Sequence, residues 1–137
     1  MAAAIAEVCV DPRLNHELLR IQVRQKLGRL GLSAERIYVL NENGDTLGSN
    51  FRNTVRLLRL RGEALVLCAV LHHDDCLAAQ AGLRLGLDES AQRVAAYLAE
   101  QGVPCPVLTG EVRTENNHLR WTDEPARGYE PFSFGGY

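Results

Sequence analysis

Residues Ala64-Leu-Val-Leu-Cys-Ala-Val-Leu71 form a nearly unbroken apolar run, followed at once by His72-His73-Asp74-Asp75-Cys76. A run without polar alternation suits a central parallel strand, because helices cover both faces of such a sheet. The segments around it carry the complementary pattern. Ala3–Val10 is a second buried run and Arg36–Leu40 a shorter one. Between these two, Leu14–Leu30 sets Leu14, Leu18, Ile21, Leu27 and Leu30 among Arg and Gln, which predicts an amphipathic helix ending at Gly28 or Gly31. Asn41-Glu-Asn-Gly-Asp45 is a turn, and Asn50 is the expected N-cap of a helix to about Leu60 that buries Phe51, Val55 and Leu58. Cys76–Leu85 and Asp88–Gln101 read as helices. Val107–Thr114 and Leu119–Thr122 read as an edge hairpin turned at Asn116-Asn117. The alternation predicts a single α/β domain with a mainly parallel sheet flanked by helices.

Composition narrows the function classes. Of 137 residues, 46% are hydrophobic and 23% charged, the balance of a soluble globule rather than a disordered chain. A net charge of −2 excludes a strongly electrostatic nucleic-acid binder, which would carry a basic excess. No apolar run approaches the ~20 residues needed to span a bilayer. Met1–Glu7 lacks the basic start of a secretory signal, so the expectation is a cytoplasmic protein with neither membrane nor nucleic acid as partner. Thiols stay reduced there, and Cys9, Cys68, Cys76 and Cys105 then suggest metal binding rather than disulfides. Cys68, inside the apolar run, reads as core, and Cys105, between two prolines, as a bystander.

Charge is divided along the chain. Residues 1–61 hold ten Arg/Lys and six Asp/Glu, whereas residues 62–137 hold five and eleven. Halves of opposite sign suit packing against each other, within a subunit or between two. Arg52, Arg56 and Arg59 form a stripe on the second helix, read as a solvated face or, less simply, a face for an anionic ligand or acidic partner. Trp121, Tyr129, Phe132, Phe134 and Tyr137 gather at the carboxyl end. Residues 123–137 are therefore read as an aromatic tail that lies across its own subunit or a neighbour, or docks into a larger assembly, beyond an α/β domain of residues 1–122.

Two clusters carry chemistry. Cys9-Val-Asp11-Pro-Arg13 stands at the carboxyl end of the first strand, and His73-Asp-Asp-Cys76 at that of the third. Two cysteines and one histidine are a zinc-favoured set that leaves a fourth position for water or another ligand. In an open parallel sheet, ligands gather beyond the carboxyl ends of strands where strand order reverses. With the order 2-1-3 that reversal falls between these two strands, and the loops meet over one point. His73 and Cys76 are close enough for one strand-to-helix turn, whose helix start would favour the Cys76 thiolate. Asp11 and Arg13 can pair on one side of an extended segment, keeping the carboxylate ionised and oriented. Such a carboxylate could accept a hydrogen bond from a metal-bound hydroxide, or ligate the metal itself. His16, His72 and His118 carry no assigned role, His72 facing away from His73 if strand alternation persists.

Cys-x-Asp-x-Arg followed some sixty residues later by His-x-x-Cys resembles the β-class carbonic anhydrases, over roughly residues 3–115. The resemblance implies a sheet of order 2-1-3-4, with Val107-Leu-Thr-Gly-Glu-Val112 as the last core strand. It implies Zn2+ on Cys9, His73 and Cys76, with Asp11 and Arg13 as the catalytic dyad and Asp75 as the acidic residue before the second cysteine. The implied activity is reversible hydration of CO2 to bicarbonate by attack of zinc-bound hydroxide, in a homodimer or higher homo-oligomer. Three features depart from the family. Asn41-Glu-Asn-Gly44 stands in place of Arg-Asn-Ala-Gly, Leu77 in place of a glycine, and only eight residues precede Cys9. These leave open a hydrolase of a CO2-like molecule such as COS or CS2, and a catalytically inactive relative acting as a structural or interaction module.

Overall fold

A computed structural model describes residues 1–42 and 47–125, and in it the two long apolar runs lie side by side. The elements in chain order are β1 (Ala2–Cys9), α1 (His16–Arg29), β2 (Arg36–Glu42), α2 (Ser49–Arg61), β3 (Ala64–His73), α3 (Leu77–Gln80), α4 (Leu87–Glu100), β4 (Val107–Val112) and β5 (Leu119–Trp121). The sheet order is β2-β1-β3-β4-β5. Its first four strands are parallel, and β5 pairs antiparallel with β4 from Gly110–Trp121 to Val112–Leu119. The order 2-1-3-4 therefore holds, and the hairpin adds β5 at the edge.

Each face of the sheet has its own apolar core. On one face Ala4, Ala6, Val8, Leu67, Ala69 and Leu71 pack with Leu19, Val23 and Leu27 of α1 and with Trp121 of β5. On the other, Ala3, Ile5, Cys68 and Val70 pack with Phe51, Val55 and Leu58 of α2 and with Val94 and Leu98 of α4. Cys68 is fully buried there, as its place in the run suggested. Complete burial of one such Leu or Phe side chain is worth about 1.5–3 kcal/mol, so covering both faces is what holds the layers together. A register shift lies between Ala3 and Ala4, which pair with Leu65 and Leu67 and leave Val66 as the extra residue of a bulge.

The helices depart from the sequence pattern in instructive ways. In α1 the inward face runs through Leu19, Val23 and Leu27, with Leu18 and Ile21 only half-buried and Leu30 exposed. Gln22 and Lys26 share that buried face, and both are polar, which blurs its periodicity. Asn15 caps α1 by accepting the Leu18 amide. The stretch Cys76–Leu85 is helical only over Leu77–Gln80, because Gly82 takes φ +72° and ends the turn. A helix of four residues builds little dipole, so the dipole argument for the Cys76 thiolate falls away.

Asn50 is not the N-cap of α2. Gly48 holds that place, and Asn50 instead donates to the Asn41 carbonyl. The capping acceptor comes from the neighbouring strand: Glu42 Oε1 accepts the Phe51 amide at 2.9 Å. A Cβ at Gly48 would stand 1.7 Å from Glu42 Oε2, so the glycine admits the carboxylate. The arginine stripe also acts within the chain. Arg52 donates to the Leu47 carbonyl and lies 4.9 Å from the Tyr97 ring, and Arg59 donates to Gln101.

Opposite charges of the two halves meet in part inside the subunit. Lys26, nearly buried, pairs with Asp123 at 2.9 Å and Glu124 at 2.6 Å, and Arg29 pairs with Glu124 at 2.8 Å. The rest of the aromatic tail, residues 126–137, lies outside the described residues, as do 43–46 of the turn after β2. No helix among the described residues is long and apolar enough to cross a membrane.

The Glu42 cap makes a stability prediction. Gly48→Ala and Glu42→Ala should each cost about 1 kcal/mol or more, the usual worth of a cap. The double variant should cost clearly less than their sum, because both remove the same bond. Urea unfolding of the three variants measures this, and additive losses would contradict it.

Candidate metal centre

Parallel pairing brings the carboxyl ends of β1 and β3 together, from Ala2–Ala64 to Glu7–Val70. Cys9 ends β1 and His73 ends β3. Asp75 then takes a left-handed backbone (φ 52°), a conformation that Asp tolerates better than most residues, and reverses the chain so that Cys76 returns toward His73. The donor atoms of Cys9, His73 and Cys76 all lie within 4.8 Å of one another. His73 and Cys76 are buried and Cys9 half-buried.

Two observations show that this trio fits a divalent metal. The Cys9 and Cys76 sulfurs are 3.9 Å apart, and two sulfurs on one tetrahedral zinc, with Zn–S about 2.3 Å, stand about 3.8 Å apart. His73 Nδ1 lies 2.7 Å from the Asp74 carbonyl oxygen. A carbonyl only accepts, so Nδ1 carries the proton and donates. That tautomer leaves the Nε2 lone pair free, and Nε2 is buried with no hydrogen-bond partner. A metal-ligating histidine is normally fixed in this way from behind.

The Cys9 thiol responds to its setting. Burial pushes Cys9 up, the adjacent Cys76 thiol adds to this, and Arg84 pulls it down. Without a metal, the Cys9 thiol resists ionising. A bound cation reverses that and releases protons, so metal affinity should rise with pH.

Beside the trio stands the proposed dyad, with Asp11 Oδ2 3.8 Å from His73 Nε2. Arg13 grips Asp11 bidentately, Nε donating to Oδ1 at 3.1 Å and Nη2 to Oδ2 at 2.8 Å, and the Arg13 amide donates to Oδ1 at 2.9 Å. This grip, the side-chain bond first, holds the Asp11 carboxyl down at about 2. The same guanidinium reaches the other loop, with Nη1 3.3 Å from Asp75 Oδ2 and Nη2 3.1 Å from the Asp75 carbonyl. Arg13 is thus the brace between the two motifs.

The sequence reading missed what holds Arg13. Asn117, at the hairpin turn with φ 58°, donates from Nδ2 to the Arg13 carbonyl at 3.2 Å and accepts the Asn15 amide at 2.8 Å. Buried Gln22 of α1 donates to the Asn117 carbonyl and accepts the Leu119 amide, each at 2.7 Å. The edge hairpin is therefore bonded to the dyad loop. Leu77, one of the departures from the resemblance, is 76% exposed. His72 lines a neighbouring cavity, His16 bonds Asn41, and Cys105 packs beside the second core, so none of them joins the trio.

No protein-family model matches this sequence, and no curated protein matches it. Among solved structures, the chain is similar to a carbonic anhydrase from Streptococcus mutans, with a TM-score of 0.50 and 18% identity. The match covers 87% of this chain and 81% of that one. At this identity the likeness establishes a shared fold.

His73→Ala or Cys76→Ser should weaken metal binding at least about 100-fold in a competition titration. Cys68→Ser and Cys105→Ser should bind metal as the wild type does, and equal affinity in all four would contradict the assignment. A second prediction concerns acid. The folded pKa of Asp11, about 2, lies below its ordinary 3.8. Its contribution is therefore complete above about pH 4 and lost as pH falls through about 2. In metal-free protein, the stability gap between wild type and Asp11→Asn should narrow across that range. A constant gap would contradict the Arg13 grip.

Proposed function

We propose that this chain is a zinc-dependent enzyme that hydrates CO2 reversibly to bicarbonate. The observation that carries the reading is the convergence of Cys9, His73 and Cys76, with Asp11 at 3.8 Å from His73 Nε2. The fold shared with a carbonic anhydrase supports it. Cys9, His73 and Cys76 would hold zinc, which, when bound, supplies hydroxide near neutral pH by lowering the pKa of water toward about 7.

The chain's own groups do the rest. Asp11 accepts the proton side of the nucleophile's hydrogen bond and so turns its lone pair toward the carbon of CO2. Both Asp11 oxygens already accept from Arg13, which keeps the carboxylate oriented beside the trio. The Arg13 grip lowers the Asp11 carboxyl to about 2, so that Asp11 serves as an acceptor at neutral pH. Two thiolates cancel the charge of a divalent ion, whereas three imidazoles leave it intact. With zinc bound, this donor set would make its water less acidic than an all-histidine set would, and hydration should rise with pH. Val10, after β1, and Leu77 and Leu83, at and after the start of α3, are exposed, and a second copy covering them fits the homodimer we infer.

Asp11→Asn should keep a full complement of zinc and lose about 100-fold or more of CO2 hydration, the usual worth of a positioned acid–base group. Stopped-flow hydration with metal analysis of the same sample measures both. Undiminished hydration would remove Asp11 from the mechanism. Full zinc with no wild-type hydration, but with COS hydrolysis, would favour the related hydrolase, and neither activity would favour the structural module.

A further inference from the structure

A cavity of about 460 Å3 adjoins the metal centre between the end of β3 and the start of α4, with His72, His73, Asp74, Arg84, Leu87 and Glu111 in its wall. Arg84 is its uncompensated member. Its Nη1 is buried and makes no hydrogen bond, and among the described residues no ion pair forms at Arg84. The two acids of the wall are engaged elsewhere: Asp74 accepts the Thr114 amide at 2.8 Å, and Glu111 faces Arg120 at 3.6 Å. A guanidinium stays charged at any working pH, and its buried end needs an acceptor. Its planar fork matches the two oxygens of a carboxylate-like anion. The charge also bears on Cys9 and His72, which puts it within electrostatic reach of the trio. His73 belongs to both places, lining the cavity and standing in the trio.

We propose that Arg84 holds a small planar oxyanion in this cavity beside His73, and that bicarbonate is its natural ligand. The choice of bicarbonate rests on the hydration reading; the anion site does not. An anion there stands next to the metal centre but on a separate cation. Bicarbonate leaving after hydration, or arriving for dehydration, would pass through a fixed positive charge.

Isothermal titration with bicarbonate and with nitrate, a non-reacting planar oxyanion, tests this on zinc-loaded and chelator-stripped protein. Both forms of the wild type should bind both anions. Arg84→Gln should weaken binding at least tenfold in both forms with zinc content unchanged. Arg84→Lys, which keeps the charge but loses the fork, should fall between, and it carries the comparison if the glutamine variant does not fold. Wild-type affinity in the variants, or no binding by the wild type, would overturn the proposal. Binding that vanishes when zinc is stripped would place the anion on the metal and overturn it too. Nitrate binding without bicarbonate binding would overturn the ligand. Intact anion binding in a protein that hydrates no CO2 would defeat the hydration reading and leave the Arg84 site standing.

Discussion

Parallel pairing of β1 with β3 is the constraint from which the candidate site follows. It sets Cys9 and Cys76, 67 residues apart in sequence, with their sulfurs 3.9 Å apart. The pairing is possible because Ala3, Ala4, Ile5 and Ala6 on one strand, and Leu67, Cys68 and Ala69 on the other, are wholly buried. Helices on both faces supply that burial. Strand order reverses at this pair, since β2 lies on one side of β1 and β3 on the other. At such a reversal the chain leaves the two strand ends in opposite directions, and polar side chains from two loops can converge.

Convergence alone does not orient a carboxylate. Arg13 does so by spanning both loops, holding Asp11 with three donors and touching Asp75 twice. Its backbone is in turn fixed by Asn117, and Asn117 by Gln22. Each bond in this chain satisfies a group that would otherwise be costly to bury. The edge hairpin, which sets Leu119 and Trp121 into the first core, thus also reaches the site through polar contacts. Lys26 ties the segment after the hairpin to the same helix through Asp123 and Glu124.

Much of this was legible in sequence, and the reasons for the rest are physical. Apolar runs reveal buried parallel strands because burial on both faces removes alternation, and so β1 and β3 were readable. Cys9 and His73–Cys76 were readable because strand ends are where such residues can meet. Gln22 and Lys26 were not. Their place in an amphipathic helix reads as solvent-facing, and only partners nearly a hundred residues away account for their burial. Glu42 as a cap depends likewise on a neighbouring strand, and nothing local distinguishes it from any exposed acid. The short α3 was overread because Cys76–Leu85 has helical composition up to a glycine whose left-handed backbone ends it. Arg84 gave no signal, since a cavity has no sequence pattern.

The central claim is that two thiolates and one imidazole of this chain share one metal. X-ray absorption at the zinc edge of purified, metal-loaded protein tests it most directly. The account predicts one zinc with two sulfur neighbours at about 2.3 Å and at least one nitrogen at about 2.0–2.1 Å. The sulfur shell should fall to one neighbour in Cys9→Ser. A first shell without sulfur, or one that Cys9→Ser leaves unchanged, would contradict it.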